Sequence, residues 1–255
     1  MGINRFSLEG KVAIVTGGKR GIGRAIALAF AEAGADVVVC SRAIEDGELE
    51  VVAEEIQKLG RRSLAVQADI SRKADVDNLV QKTIDEFDGI DILVNNAAVY
   101  KQAPLLELRE EDWDETIDID LKGYYFCCQA VGKRMVERKK GNIINIASVS
   151  AVKAEKEDGA YSIAKTGVVM LTRVLALELA SYNIRVNAIA PGWVKTIMTE
   201  PWLNDLNFLR RVEAETPLGR IAEPDEMSGA ALFLASNASS YITGQTIIVD
   251  GGGMA

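Results

Sequence analysis

Histidine does not occur in this 255-residue chain. Its absence removes every mechanism that needs an imidazole base, Ser-His-Asp triads included, and with it the usual zinc constellations. A general acid or base must therefore be Tyr, Lys, Asp or Glu, and no metal site is expected. Cysteine is scarce too: Cys40, Cys127 and Cys128 are an odd number with no Cys-x-x-Cys spacing. That argues against a secreted disulfide framework and for three packing residues. Basic residues are outnumbered, 29 Lys and Arg against 37 Asp and Glu, for a net charge of −8. A nucleic-acid partner would need a basic surface, so none is expected. Proline occurs five times, mostly in predicted loops, and no Pro/Gly/Ser-rich linker, low-complexity tract or internal repeat divides the chain. No apolar run is long enough to span a bilayer, and residues 1–9 lack the apolar core of a signal peptide. These absences predict a cytoplasmic protein that spans 1–255 as one domain and does not bind membranes.

What the chain does have is apolar substance, 48% of its residues, arranged in alternating strand and helix patterns. Short β-branched runs at 11–16, 36–40, 63–67, 90–94, 141–148, 183–189 and 245–250 read as buried strands. Between them lie helical stripes: Ile22, Ile26, Ala29, Phe30, Ala33; then Leu49, Val52, Ala53, Ile56, Leu59; then Val76, Leu79, Val80, Ile84, Phe87. One long helix is predicted over 113–138 and another over 161–180. Repeated βα units build a parallel sheet with helices on both faces, so the expected fold is a Rossmann-like, doubly wound α/β sheet of about seven strands. In such sheets ligands bind at the carboxyl ends of the strands, where Ser41, Asp69, Asn95, Ser148 and Gly192 fall.

Two groups of residues carry chemistry. The first strand runs into Gly17-Gly18-Lys19-Arg20-Gly21-Ile22-Gly23 and then a helix, a turn whose glycines admit a pyrophosphate to the helix N-terminus. The second group is Tyr161 and Lys165, one helical turn apart, with Ser148 thirteen positions upstream. A bare Tyr-x-x-x-Lys on a helix is most often a solvated pair. Here the cation is expected to stabilise the phenolate and lower the tyrosine pKa towards neutrality, so that Tyr161 exchanges a proton with a substrate oxygen held by Ser148.

With Asn95-Asn96-Ala97-Ala98, residues 141–148, Ala190-Pro191-Gly192-Trp193-Val194-Lys195-Thr196 and the closing Val249-Asp250-Gly251-Gly252, the order of motifs resembles the short-chain dehydrogenase/reductase family from about Leu8 to Gly252. The nearest general resemblance is to 3-oxoacyl-acyl-carrier-protein reductases and to glucose or sugar-acid dehydrogenases. It implies a homo-oligomer, usually a tetramer. It also implies a dinucleotide held by Gly17, Gly18, Lys19, Arg20, Gly21, Ile22, Gly23, Ser41, Arg42, Asp69, Ile70, Asn95, Ala97, Tyr161, Lys165, Pro191, Gly192, Val194 and Thr196. Ser148, Tyr161 and Lys165 would be catalytic. Asp120 joins them in a place where the family has Asn, whose main-chain carbonyl holds a water that relays protons from the lysine; an Asp lacks the amide donor, and its charge can bind Lys165.

The end of the second strand decides the cofactor. It reads Cys40-Ser41-Arg42, with no acid to take a ribose 2′-hydroxyl and an arginine able to grip a 2′-phosphate, as can Arg20, which predicts NADP(H) over NAD(H). The expected function is an NADP(H)-dependent exchange between a secondary alcohol and a ketone. The alternative is a dinucleotide-binding scaffold or redox sensor without turnover, against which the intact Ser148, Tyr161 and Lys165 argue. A substrate loop is expected at 196–215, with Trp193, Met198, Trp202 and Phe208 as candidate pocket residues and Lys153, Glu155, Lys156 and Glu157 as a charged rim.

Overall fold

A computed structural model describes residues 3–255 of the chain. Met1 and Gly2, the first residues of the segment read as lacking a signal core, lie outside the described residues. Among these, seven strands form one sheet: β1 (Val12–Thr16), β2 (Asp36–Ser41), β3 (Ser63–Gln67), β4 (Ile92–Asn95), β5 (Gly141–Ile146), β6 (Ile184–Pro191) and β7 (Thr246–Val249). Their order is β3-β2-β1-β4-β5-β6-β7 and every pairing is parallel. The doubly wound α/β fold is thus the one the alternating pattern predicts.

The parallel sheet explains why the strand sequences are apolar throughout. Ile14 and Val38 bury into one helical layer while Ala13, Val15, Val37 and Val39 bury into the other. The second layer holds α1 (Gly21–Glu32) and α2 (Glu48–Lys58), through Ile26, Phe30, Val52 and Ile56. The first holds α3 (Lys73–Phe87), α5 (Tyr124–Arg138) and α6 (Gly159–Leu179), through Leu79, Met135 and Val168. Gly34, at φ +102°, ends the first helical unit as its position after the apolar stripe suggests.

One expected element is corrected. The helix predicted over 113–138 starts earlier, as α4 (Glu110–Ile117), and passes through π-helical turns at Asp118–Gly123 before resuming as α5. Each wide turn shifts the face presented to the core, and such insertions concentrate at functional sites. Asp120 is thereby turned fully inward, while a Cβ on Gly123 would stand 2.8 Å from Ile70. Among the described residues no helix is long and apolar enough to cross a membrane.

The three cysteines are free and buried. Burial pushes the thiols of Cys40 and Cys128 up to about 12, so neither is a ready thiolate nucleophile.

Candidate active site

The chain crosses from one half of the sheet to the other between β1 and β4, and a cleft of about 610 Å³ opens there above the strand ends. Its floor is the turn after β1. Gly17 and Gly21 have φ of +65° and +57°, and a Cβ at Gly17 would lie 2.8 Å from the Ala97 Cα. At Gly17 the left-handed backbone and the missing space together require glycine. The first turn of α1 has no side-chain cap at Arg20, so its N–H groups are left for a ligand.

Most of the residues singled out from the sequence meet in this cleft: Gly17, Lys19, Arg20, Gly21, Ile22, Ser41, Arg42, Asp69, Ile70, Ala97, Ser148, Tyr161, Lys165, Pro191, Gly192, Val194 and Thr196. Gly18, Gly23, Asn95 and Asp120 stand behind its wall. Gly18 lies against Val39, and Gly23 under the Gly17 carbonyl. Asn95 donates to Asn145 Oδ1 at 2.8 Å, and Asn145 in turn to Thr172 Oγ1 at 2.9 Å, a buried chain tying β4 and β5 to α6. Its neighbour Asn96 does reach the cleft. It donates from Nδ2 to the carbonyls of Thr16 at 2.9 Å and Gly17 at 3.2 Å, fixing the glycine turn.

Arg42 is not a lone cation. It lies 3.0 Å from Glu115, whose other oxygen is 2.9 Å from Lys101, and Lys19 is paired with Asp46. These two pairings, with partners 73 and 27 residues away, left no periodic mark in the sequence. A side pocket of about 390 Å³ brings Arg42 together with Gln67, Asp69, Arg72, Asp75 and Asn78.

At the other end of the cleft, α6 presents Tyr161 and Lys165 to Ser148, which follows β5. The expectation that lysine draws the tyrosine pKa down is overturned. Burial, and next the Asp120 carboxylate, push Tyr161 well above the ordinary phenol; a hydrogen bond from Ser148 works the other way. Lys165 is engaged elsewhere: its ammonium is 3.2 Å from Asp120 Oδ2 and donates to the Ile146 carbonyl at 3.2 Å and the Tyr124 hydroxyl at 3.3 Å. Asp120 also accepts the Val99 N–H on Oδ1 at 2.8 Å, and burial raises its own ionisation against the pull of Lys165.

Two tyrosines missing from the sequence reading belong here. Tyr124 is fully buried, between Lys165 and the Ile146 carbonyl, to which its hydroxyl donates at 3.2 Å. Tyr100 meets Tyr161 edge-on, ring centroids 5.3 Å apart, and Trp202 packs on it at 5.1 Å. A single aromatic residue carries no motif, so neither could have been picked out. Trp202 and Met198 line the cleft, whereas Trp193 meets Trp202 edge-on and Phe208 in turn meets Trp193. This region includes two short helices, α7 (Glu200–Leu203) and α8 (Leu206–Glu215), and Trp202 Nε1 docks on Gln102 at 3.2 Å. Residues 153–157 are exposed and lie off the cleft lining.

A family model described as enoyl-(acyl carrier protein) reductase matches residues 17–253. The chain is 44% identical over 247 residues to the 3-oxoacyl-[acyl-carrier-protein] reductase of Synechocystis sp., covering 96% of this chain and 98% of the relative. Over 254 residues it is 40% identical to the 2-dehydro-3-deoxy-D-gluconate 5-dehydrogenase of Escherichia coli, covering 99% of each. Among solved structures, a gluconate 5-dehydrogenase from Burkholderia cenocepacia J2315, in complex with NADP and tartrate, has a TM-score of 0.94 at 36% identity over 98% of both chains. Matches that run the length of the chain, on this sheet order and this cleft, place it in the short-chain dehydrogenase/reductase family, as an oxidoreductase acting on CH–OH and C=O groups.

Proposed function

We propose that this protein interconverts a secondary alcohol and a ketone, with NADP(H) as its preferred cofactor and Tyr161 as the group that gives and takes the substrate proton. The observation that carries this reading is the meeting of Ser148, Tyr161 and Lys165 in the same cleft as the open glycine turn. One domain then serves both cofactor and substrate.

The residues present fit a dinucleotide. The floor is kept free of side chains where a Cβ would collide, and the uncapped start of α1 offers N–H groups and a positive dipole end to a pyrophosphate. Asp69 and Ile70 would border the adenine, and Ser41 and Arg42 the 2′-phosphate. Pro191, Gly192, Val194 and Thr196 would flank the nicotinamide, and Tyr161 and Lys165 its ribose. The bound cofactor supplies or accepts hydride at the substrate carbon. Ser148 holds the substrate oxygen as its charge changes, and Tyr161 delivers or removes the proton. Tyr100 and Trp202 with Met198 make the neighbouring wall apolar, which suits the non-reacting part of a ketone. The relatives' own substrates, an acyl chain on a carrier protein and a sugar acid, define the ketones and polyols to screen with NADPH and NADP.

Arg42→Ala tests the cofactor reading. Loss of a charge-assisted phosphate contact costs roughly 1.5–3 kcal/mol, which raises Kd for NADPH about ten- to a hundredfold. NADH, lacking the phosphate, should bind nearly as before, as fluorescence titration of both would show. Equal wild-type affinities for NADH and NADPH would instead mean that Arg42 serves only Glu115.

The protein is proposed to work as a homo-oligomer, a tetramer by resemblance. On α6, Ile163, Met170, Val174 and Leu177 are exposed, Leu177 at 83%, beside an exposed Tyr125 on α5. An apolar stripe of this extent suits a two-fold pairing of these helices with their copies. Light scattering should give a multiple of 27.6 kDa, and Leu177→Lys should lower it. A monomer mass for the wild type would refute the assembly.

A further inference from the structure

Lys165 lies at the bottom of the cleft with 1% of its surface exposed. An ammonium has three protons to donate. Two acceptors take its protons, Ile146 O at 3.2 Å and the Tyr124 hydroxyl at 3.3 Å, and Asp120 Oδ2 stands 3.2 Å away as its counter-charge. The centroid of the Tyr161 ring is 5.3 Å away. The ammonium thus stands over that ring with the Asp120 carboxylate beside it.

Asp120 is as firmly held. It is completely buried, its Oδ1 takes the Val99 N–H, and no hydrogen bond among the described residues reaches Oδ2. The ion pair with Lys165 is what offsets the cost of that buried charge. The π-helical turns of Asp118–Gly123 bring the carboxylate there.

We propose that Asp120 is a positioning residue: its carboxylate holds and neutralises the Lys165 ammonium beside Tyr161, so that alcohol oxidation requires more alkaline conditions than a neutral residue of the same shape would impose. The inference rests on Tyr161 being the proton-transfer group. The groups facing Tyr161 are Asp120 from the π turns, Tyr124 from α5, Tyr100 after β4, Ser148 after β5, Asp158 at the head of α6, and Lys165 one turn along its own helix. Lys165 is the cation among them, and Asp120 cancels it. Removing the Asp120 charge leaves a net positive charge beside the phenol, which favours phenolate and moves its ionisation down.

Asp120→Asn tests this. Asparagine keeps the shape and an oxygen for the Val99 N–H, and removes only the charge. The pH of half-maximal alcohol oxidation should fall by about one unit, the size of a single nearby charge effect. Tyr161 should ionise correspondingly earlier in ultraviolet phenolate absorbance, isolated by subtracting Tyr161→Phe counterparts of both proteins. Asp120→Ala, which also drops the Val99 contact, should lower Tm in addition. If Asp120 only braces the fold, Asp120→Asn will show the wild-type profile. Equal Tyr161 titration in the two proteins, including none in either before unfolding, overturns the proposal. Because the spectrum needs no turnover, it reports on Asp120 even if the proposed reaction were wrong.

Discussion

Phenylalanine in place of Tyr161 should lower turnover by about 10²–10⁴-fold, the usual worth of a positioned acid or base, while dinucleotide affinity stays nearly unchanged. The ring, its edge-on contact with Tyr100 and the helix that carries it are all retained, so only the hydroxyl is lost. No histidine exists to substitute for it. Ser148 can still hold the substrate oxygen, but a serine hydroxyl is too weak an acid to replace the phenol, and Lys165 is held by Asp120. Stopped-flow or steady-state rates of ketone reduction by NADPH, alongside fluorescence titration of NADPH binding, separate the two quantities. Near-normal turnover in this variant would remove Tyr161 from the chemistry.

The same residue shows where sequence reasoning succeeds and where it stops. Tyr161, Lys165 and Ser148 were legible because four-residue spacing on a helix and the end of an apolar run are local facts. Their convergence followed from the alternating pattern, which fixes a parallel sheet with its site at the strand ends. The strands themselves stood out because both faces of the sheet are covered, so that Val12–Thr16 is buried at every position. The π turns of Asp118–Gly123 left no such mark. A few residues of wider helix do not disturb an apolar stripe that continues on either side, yet they decide that Asp120 faces Lys165. The possibility that the Asp120 charge binds the lysine could be read from residue types; the sign of its effect on Tyr161 could not. That sign depends on burial, which is decided only when the phenol and Asp120 are packed into the same interior. Arg42 teaches the same lesson on the surface. Its cation was visible at the end of β2, but the Glu115 that engages it comes from α4 and is close only after folding.

The glycine turn leaves no room for side chains, and the glycine beneath it gives the second large expected effect. Gly23 is not strained in backbone and does not touch the cleft; it is the place where α1 passes under the turn. A Cβ there would lie 2.3 Å from the Gly17 carbonyl oxygen and 2.5 Å from Asn96 Nδ2. Neither neighbour can yield cheaply, since that amide is what holds the Thr16 and Gly17 carbonyls in place. Gly23→Val should therefore push the turn off its Asn96 anchor and abolish measurable dinucleotide binding. Overpacking of this kind costs about 3 kcal/mol, which in a chain of this length lowers Tm by roughly 6–12 °C. Gly47 supplies the control. It too lies beside a helix start, at φ +71°, but a Cβ there meets nothing within 4 Å. Gly47→Ala should cost only the left-handed backbone strain, about 1–2 kcal/mol, and leave cofactor affinity intact. Calorimetry with and without NADPH distinguishes the two. If Gly23→Val still gains thermal stability from the cofactor as the wild type does, the packing of α1 beneath Gly17 is not what shapes the phosphate site.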